Sequence, residues 1–111
     1  MWSVLVVLLS AAGALAQTPT GSIDGTVRDT SGAVVPGVTV VVIHQETRAS
    51  REVVTDAQGF FTAPLLPVGA YTVKADLSGF KGFEQHDVRL TVGQTLSLRI
   101  DLRPSSVAES V

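Results

Sequence analysis

The feature that most constrains this chain is the period of its apolar residues, which is two from Thr20 onward. Ile23, Gly25 and Val27 alternate with Asp24, Thr26 and Arg28, and Val38, Val40 and Val42 alternate with Thr39, Val41 and Ile43. The same alternation runs through Tyr71, Val73 and Ala75 and through Leu96, Leu98 and Ile100. A period of two turns one set of side chains into a core and the other into water, which is how a strand behaves. Valine and threonine are abundant, and both fit a pleated surface better than a helix. No segment beyond residue 17 carries an amphipathic helical stripe, so the fold class is all-β.

The punctuation agrees. Asp29-Thr-Ser-Gly32, Asp56-Ala-Gln-Gly59 and Asp76-Leu-Ser-Gly79 share the form D-x-x-G. Aspartate at the first turn position can bond the backbone two residues on, and glycine at the last accepts a positive φ. With Pro36-Gly37 and Pro67-Val-Gly69, these turns cut the chain into strands expected near 21–28, 38–45, 50–55, 59–64, 70–76, 83–90 and 95–102. That many short strands cannot cover one face of a single flat sheet, whereas two sheets packed face to face can. The expectation is a seven-stranded antiparallel or mixed β-sandwich with Ile23, Val27, Val38, Val40, Phe61, Leu66, Tyr71, Val73, Leu96, Leu98 and Ile100 inside. A buried Tyr71 hydroxyl should find a hydrogen-bond partner.

Residues 1–16 read as a targeting segment. They hold no charged side chain, Val4 to Leu9 is unbroken apolar, and Ala14-Leu-Ala16 is the small-x-small pattern before a cleavage site. Cleavage is expected between Ala16 and Gln17. The run is too short for a membrane span, which needs about 20 residues, and no cysteine follows it for lipid anchoring. An N-terminal helix, buried or resting on a membrane, is the alternative. Residues 17–20 then form a linker and 21–103 the domain. Residues 104–111, serine-rich and opened by Pro104, form a flexible tail or linker, with the last strand stopping by about Arg103 and residues beyond Ser105 mobile.

Composition narrows the function classes. Eight basic and ten acidic residues offer no basic field for nucleic acid and no polybasic membrane patch. Cysteine is absent, so the core must stabilise the domain without disulfides. That suits a bacterial envelope.

The stretch Gly25-Thr-Val-Arg-Asp29, then Ser31-Gly32 and Pro36-Gly-Val-Thr-Val40, resembles the opening of carboxypeptidase regulatory-like domains. Asp56-Ala-Gln-Gly-Phe-Phe61, Leu66-Pro-Val-Gly-Ala-Tyr-Thr-Val73 and Ser78-Gly-Phe80 resemble their second signature. The resemblance implies a prealbumin-like (transthyretin-like) sandwich with an accessory role. Such domains accompany metallocarboxypeptidases, adhesion stalks and the N-termini of bacterial TonB-dependent outer-membrane receptors. A targeting segment directly before the domain fits the receptor version, in which a plug and barrel follow. The chain is then expected to be a fragment of such a receptor or a freestanding domain that has lost it.

No catalytic, cofactor or metal site is expected. His44 and His86 stand far apart in sequence and read as exposed strand-end residues, without further ligands at zinc spacing. Each D-x-x-G turn supplies one aspartate, fewer than calcium needs. Lys74 and Lys81 are the only lysines and neither lies on the first strand, which argues against an isopeptide crosslink to Asp101 on the last. P-loop, nucleophile-elbow and H-E-x-x-H motifs are absent. Phe60 and Phe83 are out of phase with the core and form the candidate binding surface. Two functions follow as expectations: a non-catalytic envelope module with protein partners, or an exported glycan- or peptide-binding module. Both place the protein in the periplasm, at the outer membrane or outside the cell.

Overall fold

The computed structural model describes residues 18–105. The targeting segment, the Ala16–Gln17 junction and residues 106–111 lie outside the described residues. Seven strands follow in chain order: β1 (Thr20–Asp29), β2 (Thr39–His44), β3 (Ser50–Val54), β4 (Phe60–Pro67), β5 (Gly69–Asp76), β6 (Phe83–Leu90) and β7 (Thr95–Leu102). They form two sheets of order β4-β1-β7 and β3-β2-β5-β6. Every pairing is antiparallel except the parallel one between β1 and β7, which runs from Ser22–Thr95 to Asp29–Leu102. The sheet is therefore mixed, and the first and last strands hold one another. At the sandwich's two long edges β3 lies beside β4 and β6 beside β7.

Two of the three D-x-x-G turns form by the predicted chemistry, those at Asp29 and Asp56. Asp29 Oδ1 accepts from the Ser31 N–H at 2.8 Å and the Ala33 N–H at 3.1 Å. Asp56 Oδ1 accepts from the Gln58 and Phe60 N–H groups at 2.9 and 3.0 Å. The third turn closes one residue late, by the Phe80 N–H to Leu77 C=O at 3.0 Å. Thr55, buried between the β1–β2 loop and β3, accepts from the Val38 N–H and donates to the Val35 carbonyl, both at 2.9 Å.

Nine of the eleven expected core residues are buried. Gly25 belongs to the same inner row because Phe61 needs its space: a Cβ there would lie 2.7 Å from Phe61 Cζ and 2.6 Å from the Leu98 carbonyl oxygen. Leu96 and Leu98 correct the expectation, being only half-buried against the core. Their strand is an edge, and neighbouring β6 breaks its pairing with β5 between Val88 and Gln85. Asp87, inside that break, takes a φ of 59°, and Gln85, cross-strand from buried Val73, is exposed. Period two marks the inner row; it does not tell how much cover an edge receives.

The chain beyond β7 stays held for three residues. Arg103 C=O accepts from the Lys81 N–H at 2.7 Å and the Ser105 N–H reaches the Gly79 carbonyl at 3.0 Å, around a Phe80–Pro104 bridge. Proline ends the β1 pairing, as expected, but its neighbours still offer backbone groups to the β5–β6 connection.

Candidate functional site

The most densely bonded polar cluster surrounds the turn from β4 to β5. His44, expected at an exposed strand end, is instead buried. Its Nε2 lies 3.0 Å from the Val68 carbonyl oxygen, and its Nδ1 accepts from the Glu46 and Thr47 N–H groups, each at 3.2 Å. Those bonds require the neutral tautomer with its proton on Nε2. The ring meets Tyr71 edge-on, centroids 5.0 Å apart, and the Tyr71 hydroxyl donates to the Pro67 carbonyl. Gly69 makes this possible: its φ is +139°, and a Cβ there would lie 2.5 Å from His44 Nε2. Arg51 closes the adjacent edge by donating from Nη1 to the Pro64 carbonyl at 2.7 Å. Burial pushes the Tyr71 phenol above its usual value of 10.0, and the Arg51 charge opposes the shift. The arrangement fixes a turn; its hydrogen-bonding atoms point at backbone.

A second cluster lies on the outer face of the four-stranded sheet, at the β6 break. His86 Nε2 lies 2.7 Å from Glu84 Oε2, and Lys74 Nζ is 4.0 Å from Glu84 Oε1. His86 Nδ1 is 3.2 Å from Thr72 Oγ1, which is 3.1 Å from the Gln45 amide. Turned so that its oxygen faces Thr72, that amide also donates to Asp87 Oδ1 and accepts from the Asp87 N–H, both at 3.1 Å. Hydroxyl, imidazole and carboxylate thus stand in line, yet Thr72 is 8% exposed and its oxygen is shared with Gln45. A nucleophile needs access to its substrate. This row pins the strand break instead. His86 itself is exposed, as predicted, although it stands inside β6 and not at its end.

The two phenylalanines do not come together. Phe60 begins β4 and is 41% exposed. Phe83 begins β6, on the opposite long edge, and is half-buried against the core, which corrects its assignment to the surface. Among the described residues no three His, Asp or Glu side chains are grouped to hold a metal, and no helix is long and apolar enough to cross a membrane. Asp29, which belongs to a turn, has its carboxyl held below the usual 3.8, first by the Ser31 hydroxyl at 2.6 Å and then by backbone N–H groups, with desolvation opposing.

Sequence reasoning missed the His44–Tyr71 pair and the Thr72–His86–Glu84 row. A signal for the first existed in Pro67-Val-Gly69, a turn whose glycine faces a buried ring. For the second, Glu84 and His86 share the period of one face, but the bulge that aims them at Thr72 depends on pairing across strands.

The profile of the carboxypeptidase regulatory-like domain matches residues 22–103. Over 105 residues the chain is 33% identical to the TonB-dependent transporter Oar of Myxococcus xanthus, covering 94% of this chain and 10% of that protein. Among solved structures, a candidate carbohydrate-binding protein from Bacteroides uniformis superposes with a TM-score of 0.64 at 21% identity, over 78% of this chain and 42% of the other. Catechol 1,2-dioxygenase from Pseudomonas arvilla superposes with a TM-score of 0.66 at 12% identity, over 85% and 55%. At such identities these two show a shared β-sandwich and nothing of their chemistry. The chain belongs to the carboxypeptidase regulatory-like domain family.

Proposed function

We propose that this domain is a non-catalytic structural and interaction module of the bacterial envelope, serving as the N-terminal extension of a TonB-dependent outer-membrane receptor. The match to the transporter Oar carries the reading, since it spans nearly this whole chain and one-tenth of that protein. The polar clusters support it, because each spends its hydrogen bonds on the fold. In this reading residues 1–16 direct export and are removed. Fractionating the native host with an antibody to residues 21–103 is expected to find the protein with the outer membrane; recovery from the cytosol alone would overturn the proposal. Mass spectrometry is expected to find Gln17 as the first residue. Because Trp2 is the only tryptophan of these 111 residues, residues 17–111 purified by themselves should show tyrosine emission alone. Glycan binding through Phe60 and Phe83 has weaker support, since a sugar platform needs neighbouring aromatic faces.

A further inference from the structure

An unpaired strand edge presents a row of free N–H and C=O groups, and proteins ordinarily blunt such edges. Three of the four edges here are blunted. Strand β4 carries Pro64 and Pro67 and turns Leu65 to a φ of 56°. Strand β6 is broken at Asp87. Strand β3 has only five residues, and Arg51 ties it across to the Pro64 carbonyl of β4. Strand β7 has eight residues, no proline and no break in its ladder to β1. It is also where the two inner-row leucines, Leu96 and Leu98, remain half-buried. Its sheet has three strands against four in the facing sheet.

From these observations we infer that the free edge of β7 over Thr95–Asp101 is a strand-addition site for one extended segment of a partner polypeptide. The surface rests on the interaction-module reading and specifies where the interaction occurs. Just past β7, Arg103–Ser105 take Gly79–Lys81 of the chain's own β5–β6 connection as an antiparallel backbone partner, which covers the edge there and leaves Thr95–Asp101 without a ladder partner on its outer side among the described residues. That contact at one end and the Thr91–Gln94 turn at the other limit the open stretch to about seven residues, the length of a single strand. The outer row of that stretch reads Thr95, Ser97, Arg99, Asp101, and Ser97 is engaged by Asp24 at 2.7 Å. The inner row offers Leu96 and Leu98. The fitting partner alternates apolar residues, to cover the leucines, with polar ones that include a carboxylate opposite Arg99.

The test uses the purified chain and a fluorescent synthetic nonapeptide with valine at alternate positions and one central glutamate. Saturable binding is expected, with slowed amide exchange in β7. Methylating the peptide nitrogens at every second residue should abolish binding in one phase and spare it in the other, because a strand pairs through alternate residues. Arg99→Glu is an exposed change and should weaken binding about tenfold; replacing the peptide's glutamate by lysine should restore it. No saturation at millimolar peptide, or equal binding by both methylated forms, would overturn the inference. Self-association that slows exchange in β7 would overturn it as well, assigning the edge to a second copy. None of these outcomes bears on where the protein is found in the cell, so the receptor reading stands or falls separately.

Discussion

Along one long edge of the sandwich, between β3 and β4, Arg51 bonds across to Pro64, and Tyr71 and His44 hold the carbonyls of Pro67 and Val68. Phe61 and Leu66 fill the interior behind them. Along the other, between β6 and β7, the strand pairing breaks at Asp87, Gln85 is exposed, and Leu96 and Leu98 remain half-buried. Both edges belong to the same two sheets and follow the same sequence period. The difference lies in what closes the gap: arginine and backbone carbonyls on one side, a bulge and half-buried leucines on the other. Closure adds stability, and an unclosed edge leaves backbone and apolar surface for a partner.

The largest effect expected on this contrast comes from paired truncations. Phe61→Ala should cost roughly 3–5 kcal/mol, because its ring fills the space over Gly25 and leaves a cavity. That is a large share of the roughly 5–15 kcal/mol typical of a domain. Leu98→Ala should cost about 1–2 kcal/mol, below the range for a fully buried leucine, since part of its surface is already in water. Urea titrations of both variants make the comparison. Equal losses would mean that the β6/β7 edge is as well packed as the other, and the contrast would go.

Next is Gly69→Ala. The added methyl would press on His44 Nε2 and force an L-residue to a φ of +139°, so the β4–β5 turn must shift and give up its bonds to Val68 and Pro67. A cost of roughly 1–3 kcal/mol is expected from local strain of this kind. His44→Ala combined with Gly69→Ala should lose less than the sum of the single changes, because the clash is between those two residues. Full additivity, read from the same urea titrations, would show that the His44 ring does not set the conformation of the turn.

How far the sequence displays this contrast depends on the range of the forces involved. Strand number and phase are local, so Ile23, Val27, Phe61 and Tyr71 declare themselves by alternation and the D-x-x-G turns by composition. The parallel pairing of β1 with β7 is not local, since residues about seventy apart meet. The same is true of His44, whose burial depends on a turn two strands away, and of Phe83, whose half-burial depends on which strand borders β6. Leu96 and Leu98 alternate just as the buried rows do, and nothing in that pattern records that neighbouring β6 breaks its pairing at Asp87. For the candidate site, the contact of His44 with Tyr71 and the open edge of β7 both depend on which strands lie side by side, and the edge emerges only from comparing four edges at once.

A smaller effect concerns Tyr71 itself. It is the only tyrosine, so absorbance near 295 nm follows its ionisation alone once Trp2 is absent. Burial raises its pKa in the folded state, so folding favours the protonated form. The associated stability is fully present below the unfolded value near 10.0 and is lost as pH rises through the higher folded value. The native protein should therefore titrate later than the same protein in urea. Arg51→Met should delay it further, because the opposing positive charge is removed. Coincident native and unfolded curves would show that the β3/β4 edge admits water to the phenol.

The smallest effect calibrates the comparison from a residue that belongs to neither edge interior. Asp29 ends β1 and is exposed enough that its hydrogen bonds compete with water throughout. Its carboxyl titrates below 3.8, chiefly because the Ser31 hydroxyl donates to Oδ1, with the N–H groups of Ser31, Ala33 and Gly32 adding to the effect. A depressed carboxylate pKa contributes stability above the unfolded value and loses it as pH falls through the folded one. The window therefore lies below 3.8. Ser31→Ala removes the leading cause and leaves the aspartate on backbone donors alone, the arrangement already present at Asp56 with Gln58 and Phe60. An NMR pH titration of the Asp29 side chain should show its pKa rise in Ser31→Ala, while amide exchange in β7 stays unchanged at neutral pH. If Ser31→Ala also loosened β7, the turn after β1 would be coupled through the parallel ladder to the open edge. The two edges could not then be treated as independent parts of the sandwich.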